Sequence, residues 1–112
     1  MSYIEKEIEE QPSIIHNLLD REFEHVAQIA QKIRQFNPSI AIVAGRGTSD
    51  NAARYAQYLL GIYGRLPVAL ATPSVHTIYN AQPNMSKALV IAISKSGESE
   101  DVRQVVEDAR KQ

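Results

Sequence analysis

The chain has 112 residues, of which 44% are hydrophobic and 22% are charged, and these proportions are typical of a single globular domain. The formal net charge of -1 argues against a nucleic-acid partner, which would require a strongly basic face. Cysteine is absent, which excludes disulfides, cysteine nucleophiles and cysteine-based metal sites.

No apolar run approaches the roughly 18 residues that a membrane helix requires, and the first residues lack the pattern of a signal peptide. We therefore expect a cytoplasmic protein with no membrane partner. The sequence stops in a charged helical pattern at residues 107–112 with no closing strand. This pattern predicts that the chain is part of a longer protein.

The first third of the chain predicts a long amphipathic helix. Apolar side chains such as Leu19, Phe23 and Val26 recur at three- and four-residue spacing within residues 16–36. Pro38 follows and ends the pattern. We interpret residues 1–37 as an amino-terminal helical segment and residues 38–112 as an α/β core, together one domain.

Three short apolar runs predict β-strands at residues 39–44, 66–71 and 87–93. The first run, "SIAIVA", has the continuous apolar character of a strand buried on both faces in a parallel sheet. A helical pattern follows each strand.

The predicted helices occupy residues 51–63, 72–79 and 100–111, the second being a short helix or turn. Thr48 or Ser49 would cap the first of them. The predicted inner stripes are Ala52, Ala56, Leu59, Leu60 and Tyr63 in the first helix, and Val102, Val105, Val106 and Ala109 in the last.

The alternation of strands and helices predicts an α/β fold. Right-handed crossovers would build a three-layer α/β/α sandwich around a flavodoxin-like parallel sheet, with the first strand between the second and the third. A sheet of three strands is small, so we expect it to be incomplete. Its open edge would pair with a second copy of the chain or with further strands.

Loops rich in Gly, Ser and Thr follow the first and third strands. Residues 45–50 read "GRGTSD" and residues 93–99 read "ISKSGES", and each loop opens a helix. In open parallel sheets, ligands bind at the carboxyl ends of strands where the strand order reverses. The amino-terminal end of a helix also favours phosphate. The two loops together therefore predict an anion site.

The second loop contains the groups that such a site requires. Ser94, Ser96 and Ser99 offer hydroxyl donors, Lys95 offers a positive charge, and Gly97 allows close approach of the backbone. The alternative is that these hydroxyls only cap helices. Neither loop matches the dinucleotide or the P-loop pattern, so a nucleotide is not favoured.

The stretches "GRGTSDNAARYAQYLL" and "ALVIAISKSGESEDVRQVVEDAR", at residues 45–60 and 88–110, together resemble the sugar isomerase (SIS) domain family. The similarity is greatest to the first SIS domain in the isomerase half of glutamine–fructose-6-phosphate aminotransferases. The stretch "IEKEIEEQPSIIHNLL" at residues 4–19 is also similar to that family. Because no glutaminase segment precedes it, we expect a two-SIS-domain isomerase or deaminase.

The resemblance implies a binding site for a phosphorylated sugar. By position, the implied binding residues are Gly47, Thr48, Ser49, Ser94, Lys95, Ser96, Gly97 and Ser99. Lys95 replaces the glutamine that is usual in the family, and Ser99 replaces its threonine. Arg46 stands where a small residue is common, and its partner is left open.

The resemblance implies a role in amino sugar metabolism, as part of a sugar phosphate isomerase, aminotransferase or deaminase. Fructose 6-phosphate and glucosamine 6-phosphate are the expected kinds of ligand, with no cofactor. The family's acid and base residues lie outside the matched region, so we expect this chain alone to bind without turnover. The alternative is a phosphosugar-sensing domain of a regulatory protein. The absence of a basic helix-turn-helix pattern favours the enzyme.

The remaining candidate residues carry weaker signals. The spacing of His16 and His25 does not support a metal site, and His76 is interpreted as a turn-packing residue that could reach the mouth of the site. Glu98 is the one candidate acid or base, although a carboxylate at a helix start is expected on electrostatic grounds. The tyrosines Tyr55, Tyr58 and Tyr63 are interpreted as core and interface residues.

Overall fold

The computed structural model describes residues 2–45 and 48–112, and of Thr48 only the backbone. The chain divides into two compact units, Met1–Phe36 and Asn37–Gln112. Within the described residues, no helix combines the length and the apolar character needed to cross a membrane.

The first unit is one helix, α1 (Tyr3–Phe36), of 34 residues. It begins well before the periodic pattern at residue 16 and includes Pro12. Asn37 follows it with a φ of 53°, the left-handed conformation in which helices commonly end. None of the residues of α1 is buried.

The second unit alternates strands and helices as the sequence predicts. Its elements are β1 (Ile40–Gly45), α2 (Thr48–Ile62), β2 (Val68–Leu70), α3 (Pro73–Thr77), β3 (Ala88–Ile93) and α4 (Glu100–Arg110). The three strands form one parallel sheet in the order β2-β1-β3. The predicted fold class, a parallel α/β sandwich with the first strand in the centre, is therefore confirmed.

The core lies around the central strand. Ala41, Val43 and Ala44 of β1 are almost fully buried, which agrees with the continuous apolar run in the sequence. Ala44 packs with Val102 and Val105 of α4, so this helix covers one face of the sheet. Ala41 and Val43 point to the opposite face, because side chains alternate along a strand.

The structure corrects two predictions about α2. The helix begins at Thr48 rather than at residue 51, so Ser49 lies in its first turn instead of at its cap. Its buried stripe also differs, because Ala53 is fully buried while Ala52 and Tyr63 are exposed. Alanines occupy positions 52, 53 and 56, so the sequence could not decide which of them meets the sheet.

The core part of the prediction for the tyrosines is wrong. Tyr55, Tyr58 and Tyr63 have exposed fractions of 67%, 72% and 81%. The first two belong to α2 and Tyr63 follows its last residue. Their predicted role in an interface stays a prediction. Leu59 of the predicted stripe is exposed as well, at 38%.

Candidate functional site

The ends of β1 and β3 place the two predicted loops side by side. The strands pair in parallel along their whole length, and Gly45 is the register partner of Ile93. The chain leaves the sheet from both strands at the same edge, and each exit leads into a helix, α2 or α4. This is the arrangement that the switch-point argument requires.

A cleft of about 270 Å³ lies at this edge. Its lining residues are Ser49, Ile93, Ser94, Lys95, Ser96, Ser99 and Val102. Ser49 of the first loop is thus brought together with four predicted residues of the second. Gly47 and Arg46 lie outside the described residues, as does the side chain of Thr48. Gly97 borders a neighbouring cleft of about 200 Å³.

The hydroxyls of two serines stabilise a turn in the loop after β3. The hydroxyl of Ser94 accepts a hydrogen bond from the backbone N–H of Gly97 at 2.9 Å. The hydroxyl of Ser96 accepts one from the N–H of Glu98 at 3.2 Å. These bonds curl the backbone into a tight turn, and both hydroxyls retain the hydrogen that could be donated to a ligand.

Ser99 is placed differently. It occupies the position before the first turn of α4, yet its hydroxyl makes no capping hydrogen bond. Its carbonyl oxygen instead accepts the N–H of Arg103 at 3.0 Å. The capping alternative therefore fails for Ser99, and its hydroxyl lines the cleft.

The charges around the cleft favour an anion. Lys95 lines it, and the starts of α2 and α4 contribute the positive ends of two helix dipoles. The carboxylate of Asp50 is paired with Arg54 at 3.1 Å, which offsets its negative charge. Glu98 is exposed and is not among the lining residues, so its geometry gives it no contact with a ligand there.

The turn depends on the backbone of Gly97. This residue has a φ of 72°, and a Cβ built on it would meet nothing within 4 Å. We expect Gly97→Ala to lower the free energy of unfolding by about 1–2 kcal/mol through backbone strain alone. Gly97→Asn should lower it less, because Asn tolerates the left-handed conformation better. Urea denaturation of both variants measures the difference, and equal losses would contradict the assignment to strain.

The three histidines do not form a cluster. His16 and His25 are exposed on α1. The Nε2 atom of His16 lies 3.2 Å from Asp20 Oδ2, and the Nδ1 atom of His25 lies 3.6 Å from Glu22 Oε2. Among residues 2–45 and 48–112, no cluster of three or more His, Asp or Glu side chains could hold a metal ion.

His76 belongs to α3 and is buried against α4, which agrees with a packing role. Its Nδ1 donates a hydrogen bond to Asp108 Oδ2 at 2.6 Å, and Gln104 Nε2 donates to Oδ1 at 2.9 Å. These bonds hold the pKa of the Asp108 carboxyl below its ordinary value, with His76 as the main cause. Sequence reasoning missed Asp108, and the one available signal was an acidic residue one turn beyond the apolar pair Val105 and Val106.

No family model matches the chain. It is 31% identical over 112 residues to a glutamine–fructose-6-phosphate aminotransferase (isomerizing) from Thermus thermophilus, an alignment that covers 97% of this chain. It is 30% identical over 96 residues to the enzyme of that name from Pyrococcus horikoshii, covering 86% of this chain. These alignments span only 18% and 16% of the relatives' own lengths.

A solved structure agrees with these relatives. A protein from Silicibacter pomeroyi DSS-3, assigned as a phosphosugar isomerase, superposes on the chain with a TM-score of 0.94 at 33% identity. The match covers 99% of this chain and 34% of that protein. The chain therefore accounts for about a third of the solved protein and for less than a fifth of the curated relatives.

Proposed function

The chain belongs to the sugar isomerase (SIS) domain family, and from that premise we propose that it binds a phosphorylated sugar in the cleft where β1 and β3 end. One observation carries the proposal: Ser49 from one loop and Ser94, Lys95, Ser96 and Ser99 from the other line the same cleft. A phosphate group has several oxygens that accept hydrogen bonds, and hydroxyls with a lysine and helix starts are donors suited to it.

In this proposal, the two loops contact different parts of the ligand. The hydroxyls of the second loop and Lys95 would hold the phosphate, because they are clustered within one tight turn. Ser49, together with Gly47 and Thr48, would hold the sugar and the end of the phosphate that faces β1. Gly97 would allow the backbone to approach a phosphate oxygen closely.

We extend the proposal to the whole protein. The names of the relatives support a sugar phosphate isomerase or aminotransferase with fructose 6-phosphate as a candidate ligand. A deaminase, glucosamine 6-phosphate as ligand and a role in amino sugar metabolism are the further parts of the proposal, which rest on the resemblance in the sequence. Such chemistry moves a proton between adjacent carbons and needs a positioned base as well as a fixed phosphate. The hydroxyls and Lys95 that line the cleft support the fixing of a phosphate, and we propose binding without turnover for this chain alone.

Further expectations accompany this proposal and stay predictions. They are the single-domain boundaries at residues 1–112, a second SIS domain or a second copy as partner, and a cytoplasmic location.

The proposal predicts that the phosphate group is recognised. Fructose 6-phosphate and glucosamine 6-phosphate should raise the Tm of the 112-residue chain, whereas fructose and glucosamine at the same concentration should not, because only the phosphate engages the second loop. Differential scanning fluorimetry measures this. Equal shifts from the phosphorylated and unphosphorylated sugars would refute the phosphate assignment.

A single substitution tests the site itself. Ser99→Ala should weaken binding of fructose 6-phosphate about 10-fold or more, since a hydrogen bond to a charged group contributes about 1.5–3 kcal/mol. It is the cleanest variant because the Ser99 hydroxyl supports no helix cap. Ser39→Ala is the matched control. Ser39 is an exposed serine that directly precedes β1, so it lies at the end of this strand opposite to the cleft. Equal affinities of both variants and the unmodified chain, measured by calorimetry, would place the ligand elsewhere.

A further inference from the structure

Lys95 is the charged residue of the cleft where β1 and β3 end. In the part of the chain that the structure describes, four of the lining residues are serines, two are apolar and Lys95 alone is charged. Serine hydroxyls donate hydrogen bonds to any ester of suitable shape, whether it carries one negative charge or two. A full positive charge acts differently, because its attraction to a ligand grows in proportion to the charge of the ligand.

The carboxylates of α4 that are closest in sequence to the cleft do not line it. Glu100 and Asp101, in the first turn of this helix, line a separate groove of about 360 Å³ together with residues of α3 such as His76. The carboxylate of Glu100 also lies 3.6 Å from the guanidinium of Arg103. The cleft and the acidic groove therefore have different linings although both include residues at the start of α4.

The remaining carboxylates near the two loops leave the charge of Lys95 available. Asp50 of α2 is paired with Arg54 at 3.1 Å, and Glu98 is exposed without lining the cleft. No carboxylate of the described residues forms an ion pair with Lys95. A bound anion would therefore not have to displace a partner from this lysine.

The backbone is held in place on both sides of Lys95. The hydroxyl of the preceding Ser94 accepts the N–H of Gly97 at 2.9 Å, and that of the following Ser96 accepts the N–H of Glu98 at 3.2 Å. Lys95 thus projects from a stabilised turn, beside hydroxyls that line the same cleft. Its ammonium group is a point charge on a flexible stem, so it can follow a bound anion without a demand for one exact geometry.

Phosphate and sulfate esters separate the effect of charge from that of hydrogen bonding. Both esters present three terminal oxygens on a tetrahedral centre. A phosphate monoester has a second pKa of about 6, so it is mostly a dianion at about pH 7.5 and mostly a monoanion at about pH 5. A sulfate ester carries one negative charge throughout this range. Hydroxyls distinguish the two esters poorly, whereas a lysine distinguishes them by charge.

We propose that Lys95 makes the cleft selective for the dianion of a phosphate monoester over esters of the same shape that carry one negative charge. The inference rests on the proposed function and deepens it, because it names the charge state of the ligand and the residue that selects it. The second negative charge of the dianion gains a further Coulomb attraction from Lys95, and a singly charged ester does not. The matching class of ligand is a sugar with a terminal phosphate monoester.

Calorimetry with fructose 6-phosphate and fructose 6-sulfate at about pH 7.5 measures this selectivity. The unmodified chain should prefer the phosphate. Lys95→Gln should lower the ratio of the two affinities about 5-fold, which is the effect of one unit of charge at contact distance in water. Lys95→Arg keeps the charge and should keep the ratio.

Lys87→Gln is the matched control for the loss of charge. Lys87 is also exposed, and it directly precedes β3, so it lies at the end of this strand opposite to the cleft. Its replacement changes the net charge of the chain by the same amount as Lys95→Gln. The ratio of the two affinities should stay that of the unmodified chain.

The dependence of binding on pH gives a second measurement. Between about pH 7.5 and pH 5 the phosphate monoester gains a proton, so the phosphate-to-sulfate ratio should fall several-fold in the unmodified chain. It should fall less in Lys95→Gln, because the charge that favours the dianion is missing. Histidines also titrate in this range, and the sulfate ester corrects for them because its own charge stays constant.

Four results would overturn the proposal. A phosphate-to-sulfate ratio that is unchanged in Lys95→Gln, or that falls equally with pH in both chains, would leave phosphate binding in place and refute only the role of Lys95. An equal fall of the ratio in Lys87→Gln would assign the selectivity to the net charge of the chain. Loss of both esters in Lys95→Gln would make Lys95 a general requirement for binding. If the unmodified chain binds neither ester, the proposed function fails as well.

Discussion

A Gly45→Ala substitution is expected to lower the free energy of unfolding by about 1–3 kcal/mol, because β1 and α2 meet too closely there for a methyl group. A Cβ built on Gly45 would lie 2.7 Å from the carbonyl oxygen of Ser49 and 2.9 Å from its carbonyl carbon. Both are backbone atoms, so the clash cannot be relieved by rotation of a side chain. The start of α2 would have to shift.

The same shift should weaken sugar-phosphate binding. Ser49 lines the cleft and its backbone carries the clash, so Gly45→Ala moves one wall of the proposed site. Calorimetry with fructose 6-phosphate should show a weaker affinity in this variant even at temperatures where it is fully folded. Unchanged affinity would mean that Ser49 takes no part in binding.

Gly61→Ala is the matched control. Gly61 is a residue of α2, and a Cβ built on it would meet nothing within 4 Å. Alanine is favoured over glycine in a helix by up to about 1 kcal/mol, so this variant should be equally stable or more stable than the unmodified chain. A loss of stability in both variants would show that the region tolerates no added methyl group and would remove the argument from close approach.

The second large effect is expected at the buried pair of His76 and Asp108. Asp108→Asn should lower the Tm at pH 7, because the amide replaces one carboxylate oxygen with a donor. Asp108 is 1% exposed, and its two oxygens accept hydrogen bonds from His76 and Gln104. One of those donors would then face another donor, and a buried donor without an acceptor is costly.

The pair also makes stability depend on pH. Because the folded-state pKa of Asp108 is held below its ordinary value of 3.8, the carboxylate contributes stability that is fully present above that value. This contribution is lost as the pH falls through the folded-state pKa. The difference in Tm between the unmodified chain and Asp108→Asn should therefore shrink as the pH falls below 3.8.

Glu107→Gln provides the comparison for this experiment. Glu107 is the neighbour of Asp108 on α4, and its carboxylate is exposed and lies 3.6 Å from Arg110. Exposed ion pairs of this kind contribute little to the free energy of unfolding. The Tm of this variant should therefore stay close to that of the unmodified chain at every pH. A pH-independent loss in Asp108→Asn would show that the substitution acts through packing and not through the ionised carboxylate.

Several features of the fold could be predicted from the sequence because they depend on local patterns. The apolar run of β1 and the alternation of strands with helices indicated a parallel sheet, and the sheet has the predicted order. The loops at residues 45–50 and 93–99 follow adjacent strands, so their convergence follows from topology alone. Ser49 and the serines of the second loop could therefore be grouped before their positions were known.

Features that depend on exact helix rotation could not be predicted in this way. The sheet-facing side of α2 passes through Ala53, and the residue types do not distinguish it from its neighbour Ala52. The same rotation leaves Tyr55 and Tyr58 exposed.

By itself, the sequence determined the class of the fold, the position of the central strand and the two loops that meet at its end, since periodicity and strand order are local or topological properties. Only the tertiary structure decided that the Ser99 hydroxyl makes no capping hydrogen bond to α4, and that His76 meets Asp108 across 32 positions of sequence. Such contacts are set by the distances and angles between packed elements. A pattern of residue types does not contain those distances, and the folded chain does.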